Sequence, residues 1–202
     1  MQLRVIPFFL ALCFALPAQA SEAEDIARVE AYLSSINSYT ADFNQVSADG
    51  STGTGKFYLK RPGKMLWNYN PPVPIQIVSN GTVVTYYDPT VQQVSYVGVG
   101  ETMAGFLAQK TIALKSDSTE LLDFDAEDGA IRATIARKGK KDEGTLTLEF
   151  SDKPLQLRQM TVVDSTGNST RIQFQNAKFD MPLADSLFVF KDPRGVITRK
   201  KN

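Results

Sequence analysis

Apolar residues along the chain recur first at helical spacing and then at every second position. In "SEAEDIARVEAYLSSIN" (21–37), Ile26, Val29, Leu33 and Ile36 fall on one face, with Glu22, Asp25, Arg28 and Ser35 opposite. Ser21 followed by Glu24 makes a capping box, so the pattern predicts an amphipathic helix starting there. From Tyr39 the period drops to two. Strands are predicted at about 39–47, 54–61, 65–70, 74–79, 82–87 and 92–97. A second set follows at 121–126, 130–137, 144–151, 155–163 and 169–176, with a short last strand near 187–190. "GTLTLEF" is the clearest case, with Leu146, Leu148 and Phe150 on one face and Thr145, Thr147 and Glu149 on the other. Turn chemistry separates the runs: Pro62-Gly63, Asn80-Gly81, Asp88-Pro89, Asp128-Gly129, Asp152-Lys153-Pro154 and Thr166-Gly167-Asn168.

One alternation ends in an unexpected residue. In "GKFYLKRPGKMLWNY" (55–69), Phe57 and Leu59 share a face, and the next position on that face is Arg61, directly before Pro62-Gly63. The strand pattern also breaks once, at "ETMAGFLAQKTIAL" (101–114). There Met103, Phe106 and Leu107 at i, i+3, i+4, with Thr102 as cap, predict a second helix, kept short by Gly105. Consecutive strands with one polar face each, plus two amphipathic helices, predict a mainly β protein with α elements. Its architecture is an incomplete antiparallel β-barrel of about 11 strands, with short helices covering an apolar cavity. Phe57, Leu59, Met65 and Trp67 would line the concave face, with contributions from Leu146, Leu148, Phe150, Ile172 and Phe174. Leu33, Ile36, Met103 and Phe106 would face it from the helices. Taken singly, each is better read as ordinary core; the aggregate points to a cavity.

Composition narrows the chemistry. Arg4, the apolar run 5–16 and Ala18-Gln19-Ala20 form a secretory signal peptide, so residues 1–20 are expected to be removed and 21–202 to form one soluble domain. The single cysteine, Cys13, lies inside that segment, and the chain has no histidine. Disulfides, Cys/His zinc sites and His-dependent nucleophiles are thereby excluded from the mature chain. No carboxylate has a motif around it that recommends it for catalysis. Carboxylate catalysis stays open in principle; Asp88 in "YYDP" is the best-placed acid, but before a proline it reads more naturally as a turn residue. The Gly-rich "ADGSTGTGK" (48–56) lacks the spacing of a phosphate loop, because Phe57 follows Lys56, and reads as a hairpin connection. With 22 basic and 22 acidic residues, no charge excess points to nucleic acid. The basic tail "TRKKN" (198–202) reads as a solvated terminus, with docking to an acidic partner or anionic lipid as the sharper alternative.

The order of motifs resembles one known family. "YTADFNQ" (39–45), then "GTGKFYLKRPGKMLWNYNPPVPIQIVSNGTVVTYYDPTVQQV", then "LFVFKDPRGV" (187–196) is similar to the periplasmic outer-membrane lipoprotein carriers, the LolA family. That resemblance implies a monomeric periplasmic chaperone with a lidded half-barrel. It would accept acylated lipoproteins from an inner-membrane lipoprotein-releasing ABC transporter and pass them to an outer-membrane lipoprotein receptor, using no cofactor or metal and with no enzymatic activity. It also implies that the arginine of K-R-P, Arg61, holds the lid shut through lid carbonyls; the competing reading turns Arg61 out to solvent. Met65 stands where relatives often carry a bulkier aromatic, which leaves its contact role less defined. The strand pattern alone is equally compatible with a periplasmic half-barrel that binds single lipids or senses envelope stress.

Overall fold

The computed structural model describes residues 21–194. The expected signal peptide, Cys13 and the basic tail lie outside the described residues. One 14-residue α-helix, α1 (Glu22–Ser35), precedes a single antiparallel sheet of 11 strands. The helix begins where the sequence places it: the Ser21 hydroxyl accepts from the Glu24 N–H, and the Glu24 carboxylate accepts from the Ser21 N–H at 2.8 Å.

The strands are β1 (Ser38–Val46), β2 (Thr52–Lys60), β3 (Lys64–Tyr69), β4 (Gln76–Asn80), β5 (Val83–Asp88) and β6 (Gln93–Gly98). After a long crossing come β7 (Thr119–Glu127), β8 (Ala130–Arg137), β9 (Gly144–Ser151), β10 (Gln156–Asp164) and β11 (Ser169–Phe179). Their spatial order is β6-β5-β4-β3-β2-β1-β11-β10-β9-β8-β7. Two meanders are thus joined at the β1–β11 seam, where Tyr39 faces Phe179 and Phe43 faces Phe174. β6 and β7, consecutive in the chain, are the two outer edges. The barrel is therefore incomplete, and residues 99–118 connect its open sides.

Register carries the alternation across the sheet. Ala41 pairs with Phe57 and Phe57 with Trp67; Tyr39 pairs with Leu59 and Leu59 with Met65. All of these side chains lie on the concave face and join one buried cluster. Leu146, Leu148, Phe150, Ile172 and Phe174 enter the same cluster, as do Val29, Leu33 and Ile36 from the helical end. Edge-on and tilted ring contacts link Phe43, Phe57, Trp67 and Phe174, the nearest pair being Phe57 and Trp67 with centroids 4.2 Å apart.

Two expected elements take another form. The segment at 101–114 is not an α-helix but two 3₁₀ turns, Val99–Glu101 and Ala104–Ala108. The Thr102 hydroxyl accepts from the Gly105 N–H at 3.0 Å, and a Cβ at Gly105 would overlap the Val99 carbonyl, so the chain is folded back too tightly for an α-turn. The expected strand near 187–190 is instead a 3₁₀ turn, Asp185–Phe188. It lies on the convex face, where Phe188 packs with Leu66 and Val78, the side chains that alternate away from the main core. Apolar residues at 187–190 mimic strand spacing, but they cover the outside of β3 and β4 rather than extend the sheet. Among the described residues no helix is long and apolar enough to cross a membrane.

Candidate functional site

Arg61 follows the last residue of β2 and continues the face of Phe57 and Leu59, so its side chain enters the mouth of the half-barrel. There its guanidinium is surrounded by main-chain acceptors. Nε and Nη2 both donate to the Leu107 carbonyl, at 3.1 and 2.9 Å. Nη1 donates to the Ile36 carbonyl at 2.7 Å and also to that of Leu33. The Leu33 and Ile36 carbonyls belong to the end of α1, where no further helical turn supplies donors and the helix dipole is negative. The Leu107 carbonyl belongs to the second 3₁₀ turn. One side chain therefore ties both covering elements to the sheet. Burial lowers its pKa to about 10, which leaves it protonated at neutral pH.

The main chain around Arg61 adds two further ties. The Arg61 N–H donates to the Asn37 carbonyl at 2.9 Å, and the Gly63 N–H donates to the Ala108 carbonyl at 2.7 Å. Gly63 sits at φ +75°, a conformation that glycine adopts without strain, and its own carbonyl accepts from the Ser79 hydroxyl at 2.6 Å. The K-R-P-G turn thus presents a guanidinium and an N–H to the same covering segment.

Residues 109–118 dock on α1. The Glu30 carboxylate accepts from the Leu114 N–H at 2.7 Å, and the Ser34 hydroxyl accepts from the Ile112 N–H at 3.0 Å. Ile112 and Leu114 are buried beneath these contacts. On the other side of the helix the Tyr32 hydroxyl accepts from the Leu157 N–H at 3.2 Å, and Arg28 pairs with Asp152. Helix and crossing segment form one cover, fastened to the sheet by polar groups at its margin and by Val29, Leu33, Phe106 and Leu107 beneath it.

Beside that cover an apolar groove of about 390 Å³ runs along the concave face. Met65, Trp67, Tyr69, Ile77, Met160 and Ile172 line it, Thr102 bounds it at the covered end, and Gln45 and Thr170 bound it at the other. Tyr69 donates to the Gln45 side chain at 2.7 Å, which satisfies the one phenol on its wall that is mostly buried.

The family model described as "Outer membrane lipoprotein carrier protein LolA" matches residues 34–191. The chain belongs to the LolA family. An outer-membrane lipoprotein carrier protein of Methylococcus capsulatus is 32% identical over 193 residues, covering 92% of this chain and 91% of the relative. One from Azotobacter vinelandii is 32% identical over 195 residues, covering 92% of each. Among solved structures, a DUF1329 family protein from Desulfovibrio piger shares the fold at 16% identity, with a TM-score of 0.50 over 82% of this chain and 95% of that one.

Within this LolA-family chain the residues singled out by sequence meet in one place. Phe57, Leu59, Met65, Trp67, Leu33, Ile36 and Phe106 are buried together; Met103 is half-buried against the same cluster. Only Met65 and Trp67 of the nine also line the open groove. Sequence reasoning missed Phe43, which alternation on β1 marks as concave, and Ile112 and Leu114, which carry no periodic signal. It also missed Ile77 and Met160 on the groove wall. Asp88 proves to be a turn residue: its carboxylate accepts from the Thr90 N–H at 2.8 Å and hydroxyl at 2.5 Å, and the Thr90 hydroxyl is the main reason that its pKa is lowered. The Gly-rich stretch closes the β1–β2 hairpin, as its spacing implied.

Proposed function

We propose that this chain carries acylated lipoproteins through the periplasm, accepting them from an inner-membrane ABC transporter and delivering them to an outer-membrane lipoprotein receptor. The observation that supports this reading best is the way the concave face is closed. Its cover is latched to β2 by a half-buried guanidinium that bonds only to main-chain carbonyls, so releasing that latch separates no ion pair and leaves each freed group able to take water. Family membership and the carrier names of the relatives point the same way.

In this reading Arg61 is the latch. Phe57, Leu59, Met65 and Trp67 form the acyl-binding surface, and Leu33, Ile36, Met103 and Phe106 belong to the cover that withdraws. Volume requires the withdrawal. Three acyl chains hold roughly 45 methylenes; if each is about the size of a water's share of the liquid, ~30 Å³, they need on the order of 1,300 Å³. The open groove offers about 390 Å³. The open groove therefore holds only part of such a cargo, and in this reading the rest displaces α1 and the crossing segment.

The test uses spheroplasts holding newly acylated lipoproteins, to which purified residues 21–202 are added. The expected result is ATP-dependent appearance of the acylated lipoprotein in the soluble fraction, co-purifying with the protein, while a non-acylatable mutant lipoprotein stays unbound. Absence of release, from cells whose transporter works with its own carrier, would overturn the reading.

A further inference from the structure

Tyr39 is the one buried side-chain polar group without a hydrogen-bond partner among the described residues. It lies on β1, opposite Leu59 of β2 and Phe179 of β11, with 2% of its surface exposed. Rings of Phe57, Phe174 and Phe179 surround it, with centroids 6.1, 6.0 and 5.3 Å away. The other polar groups of this region are satisfied: Tyr32 accepts from Leu157, Ser34 and Glu30 accept from the crossing segment, and Arg61 donates to its three carbonyls. A phenylalanine would fill the same space with no unpaired donor to bury, so the hydroxyl is a cost to the closed form.

The position of Tyr39 gives that hydroxyl a use. Its cross-strand partner Leu59 lies two residues before Arg61 on the same face, which puts Tyr39 toward the latch end of the concave surface. Farther along the sheet the lining becomes mainly aromatic, with Phe57, Trp67, Phe43 and Phe174. An acylated ligand lying in this face would place its chains against those rings and its polar junction near the mouth. That junction carries ester or amide carbonyls, which are acceptors without a donor of their own in an apolar site. Burial raises the Tyr39 pKa, so the phenol stays protonated and can donate across the neutral range.

We propose that the Tyr39 hydroxyl donates a hydrogen bond to an acyl carbonyl of bound cargo, the ester or amide that joins an acyl chain to its head group, once the cover has withdrawn. This rests on the carrier reading for the identity of the cargo but not for the chemistry, since a phospholipid ester offers the same acceptor.

Tyr39→Phe tests it. Three probes are titrated against wild type and variant: a synthetic tripalmitoylated cysteine lipopeptide, its ether-linked and N-alkyl analogue without acyl carbonyls, and a short-chain diacyl phosphatidylcholine. The expected result is that Y39F is folded and melts no lower than wild type, yet binds the acylated lipopeptide about 5- to 10-fold more weakly, the size of one hydrogen bond. The carbonyl-free analogue should bind both proteins equally. With ¹³C-labelled ester carbonyls, the infrared stretch should shift down on binding wild type and less on binding Y39F. Equal lipopeptide affinity for the two proteins, or an equal loss with the carbonyl-free analogue, would overturn the proposal. If wild type ignores lipopeptide but binds phospholipid, and Y39F lowers that affinity, the carrier reading fails while the carbonyl donor stands. Binding of neither ligand by wild type would sink both.

Discussion

Replacing Arg61 by leucine should convert a carrier that releases its cargo into one that retains it. The guanidinium makes four N–H···O contacts to three carbonyls, two at the end of α1 and one in the crossing segment. Hydrogen bonds from a charged donor contribute roughly 1.5–3 kcal/mol each, but here the gain is set against the cost of desolvating a cation with no carboxylate beside it. Once the cover lifts, the freed carbonyls regain water. A net contribution of about 2–4 kcal/mol to closure is therefore a reasonable magnitude, which at 1.4 kcal/mol per decade shifts the closed-to-open ratio about 30- to 1,000-fold. In the proposed reading cargo binds only the open form, so whatever favours closing weakens binding by the same factor. In R61L, hydrogen exchange should quicken at the last turn of α1 and across residues 104–108, acylated-lipopeptide affinity should rise within that range, and transfer to a receptor should fall. Arg61→Lys, a single point charge without the planar fork, should lie between. Unchanged exchange in both elements would refute the latch. A weakened affinity would show instead that Arg61 contacts cargo directly.

Other perturbations address the cover, the core and the outer face. Gly105→Ala pushes a methyl into the Val99 carbonyl, so the crossing segment should become more sensitive to protease while the sheet keeps most of its stability; equal proteolysis would contradict this. Phe57→Ala removes a fully buried ring that touches Tyr39, Trp67 and Phe174 and should cost about 3–5 kcal/mol in denaturant unfolding. A loss under 1 kcal/mol would mean that the concave face is less tightly packed than its burial implies. The Asp185 carboxyl is held below its ordinary range by Lys60 and then Lys64. Its folded pKa thus lies below the unfolded one, near 4, so its contribution is complete above that value and is lost as the pH falls through the folded pKa. Protease sensitivity of residues 181–194 should rise on acidification through that window in wild type, and Asp185→Asn should show the rise already at neutral pH.

Strong periodicity made most of the fold legible. Strict alternation on β2 and β9 fixed which side chains share a face, and the capping box fixed the start of α1 to the residue. The elements that departed from expectation are those whose spacing is set by tertiary contact. Met103, Phe106 and Leu107 have helical spacing, yet the chain there is bent by Gly105 and tied down by Arg61 and Gly63. Residues 187–190 alternate like a strand because Phe188 covers a second, smaller core on the convex side. For the candidate site, the sequence placed an arginine on an apolar face and so exposed an anomaly. Which residues it would bond was hidden from the residue pattern, because main-chain carbonyls carry no residue-specific signal; only the family resemblance pointed to carbonyls of the lid. Ile112 and Leu114 were invisible for a related reason: irregular chain has no period to read.

How tightly such a protein can hold a lipid depends on what the lipid replaces. Roughly 45 methylenes moved from water to an apolar site would contribute on the order of 35 kcal/mol at ~0.8 kcal/mol each, beyond any reversible association. The concave face does not begin in water, however. Phe57, Trp67, Leu33 and Phe106 are at most 4% exposed in the closed form, buried against one another and against the cover. Entry of an acyl chain therefore exchanges contacts with α1 and the crossing segment for contacts with lipid, while exposing the apolar undersides of those two elements. The net gain is a difference between two burials of similar size, to which the latch adds a further opposing term. A preformed empty cavity of the same volume would bind far more tightly and release far more slowly. Deepening the groove without loosening the cover, by a large-to-small change at Met160 or Ile77 on its wall, should accordingly raise lipopeptide affinity and slow transfer with Arg61 intact. If affinity instead followed only the changes at Arg61 and Gly105, closure alone would govern retention, and the argument from displaced burial would be wrong.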